Sequence, residues 1–311
     1  MKRAAAWTAV LLALALLTKS CPYHPAPVPA GAFAFAAMGD APYYWWEDLR
    51  FRILRRELDA AGLRFTIHVG DIFWRPCSDA MYAKFRKRFD LLHAPVIYTP
   101  GDNEWTDCWE RGSGSYAPLE RLNRIRQIFF SDAPRIPLAR QQQFPENARW
   151  KQQDVVFTTV HITGSQNAMK PFPGRTPADD AAARERMTAN IAWMREAFAS
   201  AANARAIVIA FHGSPAFEEP PGHQYRQHFE PFLGALEDET ARFGKPVLLI
   251  HGDDHEYRVD SPVISRHRLP NFTRLEVPGS PDVGWVRVTV TPDRASPFAF
   301  ERRVVGGWKY W

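Results

Sequence analysis

One stretch of the sequence, YTPGDNEW at residues 98–105, predicts the fold of this protein. The apolar run that ends at Tyr98 has the character of a buried β-strand, and it leads within three residues into Gly101 and Asp102. Because glycine allows backbone torsions that a side chain forbids, it can aim the following carboxylate from a strand end into a cleft. The stretch therefore predicts a strand followed by a loop that carries a ligand.

The same arrangement occurs at four other places in the chain. At each place a short apolar run is followed by a glycine with acidic or histidine neighbours. The runs are 33–38, 65–69, 206–211 and 247–250, and the polar residues that follow them are Asp40, Asp71, His212, Asp253 and His255. A single Gly-Asp step is a common turn signal, but ligand-type residues at the ends of five strands predict one shared site.

Helical patterns alternate with these runs. Apolar residues recur at helical spacing in segments that begin near residues 49, 81, 118, 177 and 225. The order strand, helix, strand, helix predicts an α/β fold with its ligands at the carboxyl ends of the strands. Beyond residue 270, three apolar runs follow one another without helices, at 272–277, 285–290 and 298–304. They predict antiparallel strands and a second sheet packed on the first.

The first residues have the features of a secretory signal. Lys2 and Arg3 precede the apolar run 4–17, which is too short to span a bilayer comfortably. We therefore predict a signal peptide at residues 1–20 and export to the periplasm or secretion, with an uncleaved anchor as the alternative. Because cleavage leaves Cys21 close to the new N-terminus, a lipid anchor at this cysteine is a further alternative.

The remaining chain has the composition of an ordinary globular protein, with 46% hydrophobic residues in the full sequence. No internal repeat or low-complexity tract divides it, so we predict a linker at 21–30 and a single domain at 31–311. The formal net charge of +5 falls by three, to +2, when Lys2, Arg3 and Lys19 leave with the signal peptide. This balance does not indicate a nucleic-acid partner, and we expect no transmembrane span in the mature chain.

Carboxylates and imidazoles in this mixture are ligands for Mn, Fe, Zn or Mg ions. Several carboxylates that lie close together also require cations to offset their mutual repulsion. One alternative stays open within the set. His251 lies two residues before Asp253 and could share its side of a strand, so it is an alternative to Asp253 as a ligand.

The motifs, in their order along the chain, resemble those of the calcineurin-like metallophosphoesterases, which include purple acid phosphatases and many phosphodiesterases. The usual family pattern is Asp-x-His, Gly-Asp, Gly-Asn-His-Glu, a lone His, and Gly-His-x-His. The corresponding motifs in this chain are GDAP at 39–42, GD at 70–71, GDNE at 101–104, His212 and GDDH at 252–255. The resemblance covers residues 32 to about 260 and looks greatest for a secreted bacterial branch.

The resemblance implies an α/β fold with four layers, an αββα sandwich of two mixed β-sheets flanked by helices. It also implies a dinuclear centre of two divalent metal ions that Asp71 bridges. By motif position, Asp40 and His255 complete the ligands of one metal, and the other is held by Asp102, His212 and Asp253. The implied activity is hydrolysis of phosphoric mono- or diesters, in which the metals bind phosphate oxygens and generate a hydroxide for in-line attack. Asp71, Asn103 and His212 are the implied catalytic residues.

Four positions depart from the family pattern. Pro42 stands where the first-motif histidine is expected, so one metal has few protein ligands. Asp102 replaces asparagine and Asp253 replaces histidine, which adds negative charge and favours Mn or Mg. Asn103 replaces the histidine usually assigned to protonate or stabilise the leaving group, and an amide can donate a hydrogen bond but cannot give up a proton at neutral pH.

These departures define a second hypothesis from a different class. A non-catalytic extracytoplasmic binding or scaffold protein could retain a degenerate metallophosphoesterase fold. Pro42 and Asn103 favour this hypothesis. The clustered ligands that remain favour the metal-dependent phosphoric ester hydrolase, because a chain freed from catalysis need not keep so many costly carboxylates.

Cys77 and Cys108 are predicted to form a disulfide. Both lie a few residues beyond Asp71 and Asp102, whose loops must converge on one centre, and an exported chain meets oxidising conditions. The alternative is two buried free thiols.

Several aromatic residues and histidines near the motifs have two interpretations. The aromatic residues could form a stacking rim for a base or aryl group, or they could fill the core; they are Tyr43, Trp45, Trp46, Trp74 and Trp105. His161 is either a core histidine or a site residue, whereas His68 lies inside a strand and is predicted to be structural.

Overall fold

The computed structural model describes residues 23–305 of the chain. The signal peptide predicted at residues 1–20 and the lipid anchor considered at Cys21 lie outside the described residues. None of the helices within residues 23–305 combines the length and the apolar composition needed to cross a bilayer.

Twelve β-strands form the centre of the described chain. They are β1 Phe33–Met38, β2 Thr66–His68, β3 Val96–Tyr98, β4 Ala139–Arg140, β5 Ala148–Gln152, β6 Val155–Thr159, β7 Ala206–Ala210, β8 Val247–His251, β9 Arg258–Asp260, β10 Phe272–Glu276, β11 Val283–Val290 and β12 Phe298–Val305. The first sheet has the order β12-β11-β1-β2-β3 and the second has the order β4-β5-β6-β7-β8-β10-β9. Both sheets are mixed.

Parallel strands lie at the centre of each sheet. In the first sheet β1, β2 and β3 are parallel, and in the second β6, β7, β8 and β10 are parallel. The apolar runs of β1, β7 and β8 are buried along their whole lengths, as expected for parallel strands that are covered on both faces. Because parallel strands point the same way, the loops that follow them meet at one edge of each sheet.

Five right-handed α-helices connect the strands of the described chain: α1 Trp45–Ala60, α2 Asp79–Asp90, α3 Pro118–Phe129, α4 Pro177–Ser200 and α5 Glu230–Phe243. Two short 3₁₀ turns occupy Thr106–Trp109 and Arg111–Ser113. Local sequence sets several helix starts. Pro118 begins α3 at the position where a missing N–H costs nothing, and Thr176 caps α4 in a reciprocal capping box with Asp179.

The two sheets pack face to face and helices cover their outer faces. Phe35 of β1 and Phe157 of β6 meet in the core between the sheets, with ring centroids 5.4 Å apart. On one side Met194 of α4 packs on the second sheet. On the other side Leu54 of α1 packs with Trp285 of β11 on the first sheet. The four layers confirm the predicted αββα sandwich.

The pairing of the last strands confirms the prediction in part: β11 and β12 are antiparallel neighbours, as predicted, but β10 is not in their sheet. β10 pairs parallel with β8, with Phe272 opposite Val247, although no helix lies between these strands. The crossover that a parallel pair requires is made instead by a connection that carries β9. β11 and β12 complete the first sheet beside β1 and do not form a second one. Apolar runs mark a strand as buried, but they do not identify its neighbour.

A disulfide joins Cys77 and Cys108, as predicted, with their Cα atoms 5.7 Å apart. Both cysteines are completely buried. Cys77 lies in the connection that follows β2, and Cys108 lies in the 3₁₀ turn that follows β3. The bridge therefore fastens together the two loops that carry Asp71 and Asp102.

Candidate metal centre

The six residues predicted as metal ligands all lie in loops that follow parallel strands. The three that follow the first sheet's strands are Asp40, Asp71 and Asp102, and the three that follow the second sheet's strands are His212, Asp253 and His255. The packing of the sheets brings both sets of loops to the same end of the sandwich. Local glycines and long-range strand order therefore act together to build the cluster.

His212 lies at the centre of this cluster and is completely buried. Its Nε2 lies 3.0 Å from Asp102 Oδ1, 3.3 Å from Asp253 Oδ1 and 3.4 Å from Asp71 Oδ1. Its Nδ1 lies 3.0 Å from the carbonyl oxygen of Val69. When Nδ1–H donates to this carbonyl, Nε2 faces the carboxylates, either as a second donor or with a free lone pair for a cation.

Two groups of three side chains could each hold a metal ion. In each group the ligand atoms lie within 4.8 Å of one another; the groups are Asp40, Asp71 and His212, and Asp102, His212 and Asp253. This grouping differs from the division that motif positions implied, because His212 and not Asp71 is common to both groups. His255 belongs to neither group, although its Nε2 lies 3.8 Å from Asp40 Oδ1.

The electrostatics of the cluster reflect its burial and its excess of carboxylates. Burial raises the pKa of Asp40 to about 6 and raises the pKa of Asp71 well above its usual range. Burial alone would lower the pKa of His212, but the surrounding carboxylates raise it well above its ordinary value. For Asp102 burial is outweighed by the hydrogen bond and charge of His212, which lower the pKa of its carboxyl. One imidazole thus faces several carboxylates, an imbalance that a bound cation would neutralise.

One buried oxygen tests whether these residues fit a cation. Asp40 Oδ2 is buried and has no hydrogen-bond partner within residues 23–305. A buried carboxylate oxygen without a partner is costly, and this one lies beside other carboxylates and an imidazole, where it could bind a cation. The oxygen and nitrogen donors present are those that Mn, Fe, Zn or Mg bind.

Four of the six candidate ligands have a backbone conformation that residues other than glycine rarely adopt. The φ angles are 56° for Asp40, 51° for Asp71, 82° for Asp253 and 64° for His255. Such conformations cost about 1–3 kcal/mol each and persist only where the surrounding structure imposes them. Their concentration at one cluster indicates that the fold is strained there in order to aim these side chains.

Gly101 allows the loops after β2 and β3 to approach each other closely. A Cβ atom at this position would collide with Asp71 Oδ1 and would lie 2.6 Å from the Asp71 backbone nitrogen. The glycine in the GDNE motif is therefore required for space. It removes a steric barrier between two ligand loops.

We expect Gly101→Ala to displace the Asp71 side chain and to lower cation binding by about tenfold or more, the scale on which poorly supported ligands lose affinity. Equilibrium dialysis with Mn²⁺ measures the effect. Gly234→Ala is the matched control, because a Cβ there meets nothing within 4 Å inside α5. It should stabilise the helix by about 0.5–1 kcal/mol in denaturant unfolding. Unchanged Mn²⁺ binding by Gly101→Ala would contradict this role.

Glu104 holds the GDNE loop in place. Its carboxylate accepts hydrogen bonds from the backbone N–H of Ile72 at 2.7 Å, from the backbone N–H of Gly101 at 3.0 Å, and from the Tyr98 hydroxyl at 3.1 Å. The motif included Glu104, but the sequence analysis gave it no role. A glutamate three residues after a glycine whose N–H it accepts is the signal that could have identified it.

Asn103 contacts Asp71 with both its backbone and its side chain. The backbone N–H donates to Asp71 Oδ1 at 3.1 Å and the side-chain amide donates to Asp71 Oδ2 at 2.5 Å. Asn103 also lines the open cleft above the cluster, which has a volume of about 550 Å³. Asn103, the residue expected at the leaving group, is therefore hydrogen-bonded to the Asp71 carboxylate.

The other histidines named in the sequence analysis lie away from the cleft lining. His251 is buried against Phe211 and Phe217, its Nδ1 lies 2.9 Å from the Gly252 carbonyl oxygen, and burial lowers its pKa to about 3. His161 is buried beside Trp105, and burial lowers its pKa well below its usual value. Neither is a member of the two candidate metal groups within residues 23–305.

His68 is buried inside β2, as its predicted structural role requires. Its Nδ1 accepts a hydrogen bond from the backbone N–H of Gly70 at 3.3 Å. Burial lowers the pKa of His68 to about 3, so the imidazole is neutral. The side chain therefore supports the glycine that precedes Asp71.

The aromatic residues divide between the two interpretations. Trp105 is buried and fills the core. The rings of Tyr44 and Trp46 stack with centroids 4.6 Å apart, and Tyr44 also contacts Trp74 edge to face. Tyr44 and Trp74 line the cleft, while Trp45 is among the most exposed large side chains of the described chain. An exposed aromatic cluster therefore borders the candidate site.

The sequence analysis missed one polar residue at the cluster. Ser165 lies in a turn of left-handed helix over Gly164–Ala168, in which residues 165–168 have positive φ. Its hydroxyl oxygen lies 2.9 Å from Asp102 Oδ2 and 2.7 Å from Asp107 Oδ1, so it can donate its proton to either carboxylate. No strand-Gly-Asp pattern marks this position. The left-handed turn alone brings the hydroxyl to Asp102.

No protein-family model and no curated protein matches this sequence. Solved structures that resemble it include the phosphopantetheinyl hydrolase PptH from Mycobacterium tuberculosis, at 13% identity over 79% of this chain and 89% of that chain, with a TM-score of 0.47. The protein TT1561 of Thermus thermophilus resembles it at 14% identity over 88% of this chain and 99% of that chain, with a TM-score of 0.45.

A third similar structure is a protein serine/threonine phosphatase from Saccharomyces cerevisiae, at 11% identity over 89% of this chain and 81% of that chain, with a TM-score of 0.40. The resemblance to a secreted branch stays a prediction. The fold itself is established by the two mixed sheets and their helical layers.

Proposed function

We propose that this protein is a metal-dependent phosphoric ester hydrolase that acts outside the cytoplasm. The observation that carries the proposal is the convergence of carboxylates from both sheets on the buried imidazole of His212, beneath an open cleft. Among residues 23–305, those that line this cleft include no lysine or arginine. A phosphate ester would therefore be repelled by the carboxylates unless cations are bound among them.

The arrangement of donors supports Asp71 as the bridge between two divalent cations. An imidazole nitrogen has one lone pair, so His212 can serve one cation at a time, whereas a carboxylate has two oxygens. In a two-cation centre Asp40, Asp71 and His255 would hold one ion, and Asp71, Asp102, His212 and Asp253 would hold the other. Bound cations supply positive charge for phosphate oxygens and lower the pKa of water. Asn103 contributes an amide donor at the mouth of the site.

The disulfide supports the proposed location. Structural disulfides persist in oxidising compartments and are rare in reducing ones. The buried bridge between Cys77 and Cys108 fastens two loops of the candidate site, so the loops would be held less firmly in a reducing cytoplasm. Together with the signal peptide predicted at residues 1–20, this supports a periplasmic or secreted enzyme.

One observation favours the second hypothesis, a non-catalytic binding or scaffold protein. Asp71 accepts a hydrogen bond from the hydroxyl of Tyr43 at 2.7 Å. It also accepts hydrogen bonds from the backbone N–H and the side-chain amide of Asn103. The carboxylate can therefore be satisfied without a cation. A chain that has lost its metals could keep the cluster in this form.

The two hypotheses differ in cation content and turnover. The purified mature protein, loaded with Mn²⁺ and separated from free ions, is assayed for bound metal and for hydrolysis of aryl phosphate mono- and diesters. A hydrolase should bind at least about one equivalent of cation. Its activity should disappear when a chelator is added and return when Mn²⁺ is restored. Less than one equivalent together with no chelator-sensitive turnover would instead establish the scaffold hypothesis.

A further inference from the structure

The hydroxyl of Tyr43 lies among the candidate ligands. Its Oη is 2.7 Å from Asp71 Oδ2 and 3.2 Å from His255 Nε2. Tyr43 directly follows Pro42, the residue that stands where the resemblance leads one to expect a histidine. The structure thus places an oxygen donor next to the position from which an imidazole is missing.

A closed set of hydrogen bonds fixes the directions of Tyr43 and His255. Glu47 is buried and accepts from the backbone N–H of Tyr43 at 2.6 Å and from the Ser280 hydroxyl at 2.8 Å. The carbonyl oxygen of Ser280 lies 2.8 Å from Nδ1 of His255. The rings of Tyr43 and His255 meet edge to face with centroids 5.3 Å apart. Both side chains are therefore held toward the same point beside Asp71.

Several electron-pair donors converge at this point. When His255 Nδ1–H donates to the Ser280 carbonyl, its Nε2 is an acceptor, and Asp71 Oδ2 is a second acceptor. The Tyr43 hydroxyl can give its one proton to either of them, and the side-chain amide of Asn103 also donates to Asp71 Oδ2 at 2.5 Å. Asp40 Oδ1 lies 3.8 Å from His255 Nε2, so a fourth electron-pair donor borders the same space. Oxygen and imidazole donors that converge in this way are typical of a cation site.

We propose that the hydroxyl oxygen of Tyr43 is a ligand of the cation held by Asp40, Asp71 and His255, and that it replaces the histidine that Pro42 cannot provide. The inference rests on the proposed function, because it concerns one cation of that centre. A cation bound there would take an electron pair from Oη, and the hydroxyl proton would leave to solvent. The cation that is poorest in ligands by motif position therefore gains a fourth protein ligand.

The test is a calorimetric titration of the mature protein with Mn²⁺, in buffers of different ionisation enthalpy, which gives affinity and proton release together. Tyr43→Phe should bind one cation about tenfold or more weakly and release one proton fewer than the wild-type protein. Wild-type protein should also show the ultraviolet difference spectrum of an ionised tyrosine on addition of Mn²⁺, and Tyr43→Phe should not. Tyr225→Phe, at an exposed tyrosine, is the matched control and should behave as wild type.

Each outcome decides the inference. If wild type binds Mn²⁺ and Tyr43→Phe binds it with equal affinity and proton release, Tyr43 only donates a hydrogen bond to Asp71 and the inference is wrong, while the proposed hydrolase stands. If Tyr43→Phe does not fold, as judged by its thermal unfolding, the wild-type spectrum decides alone, and absence of the ionised-tyrosine signal overturns the inference. A wild-type protein that binds no Mn²⁺ overturns both the inference and the proposed function.

Discussion

Asp71→Asn is expected to remove most of the bound cation and most of the phosphoesterase activity, and to do so more completely than Asp102→Asn. A bridging carboxylate serves both cations, whereas Asp102 would serve one. The asparagine keeps one oxygen but presents an NH₂ group where the second ligand oxygen lay, and that group cannot bind a cation. The loss in cation affinity should exceed the roughly 10–100-fold effect of removing an outer-shell partner.

Elemental analysis and kcat/KM for an aryl phosphate ester measure this effect in parallel. Asp254→Asn is the matched control, because it makes the same chemical change at an exposed carboxylate beside Asp253. Its metal content and rate should stay near those of the wild-type protein. If Asp71→Asn also keeps its metal content and rate, Asp71 is not the bridge and the ligand assignment must be abandoned.

The ligand-bearing loops could be predicted because their signal is local. An apolar run followed by glycine and a carboxylate describes a strand end within a few residues, as at Asp40, Asp71 and Asp102. Alternation of such runs with helical patterns then gives the layered fold. The pairing of β10 with β8 and of β11 with β1 could not be predicted in the same way, because it depends on segments far apart in the chain.

The comparison of His251 with Asp253 shows where strand periodicity stops being informative. Residues two apart share a side only while the strand continues. β8 ends at His251, and Asp253 has a φ of 82°, so the chain turns between them. His251 keeps the strand's direction and packs against Phe211 and Phe217, while Asp253 turns toward His212. Gly252 between them signals a turn, but it does not show which way the two side chains then face.

The position of the Tyr43 hydroxyl also depends on long-range structure. In the sequence Tyr43 belongs to an aromatic run and suggests stacking. Its contacts with Asp71 and His255 require three separate loops to meet, one of them from the second sheet. The local sequence therefore predicted only that Tyr43 could belong to an aromatic rim of the site. The position of its hydroxyl among the candidate ligands comes from the three-dimensional structure.

A second large effect is expected in the choice of substrate, because position 103 has no proton to give. We expect the rate of hydrolysis to fall steeply as the pKa of the leaving group rises. Aryl and phosphoanhydride-like leaving groups depart readily as anions, whereas alkyl oxygens need a proton. Loss of a positioned general acid costs about 10²–10⁴ in rate where protonation matters, so the penalty should fall on alkyl esters.

The structure excludes two residues as donors of the missing proton. His161 and His251 are both completely buried, and neither lines the cleft. Three other groups that line it could donate a proton. His255 and Tyr43 point toward Asp71 and the candidate cation, and the Tyr44 ring stacks on Trp46 at the border of the cleft. Asn103 itself is held by Asp71 through its side-chain amide. The leaving oxygen is therefore expected to depart as an anion or to take its proton from water.

A series of phosphate esters from aryl to alkyl leaving groups tests this expectation, with chemistry shown to be rate-limiting for each ester. Asn103→His should gain activity selectively on the alkyl esters, because its imidazole can carry a proton to the leaving oxygen. Asn103→Ala is the control: it also breaks the amide contact with Asp71, so any change it shares with Asn103→His comes from that loss and not from proton transfer. A flat dependence on leaving-group pKa in the wild-type protein would mean that another group donates the proton, and that position 103 does not limit which esters this site can cleave.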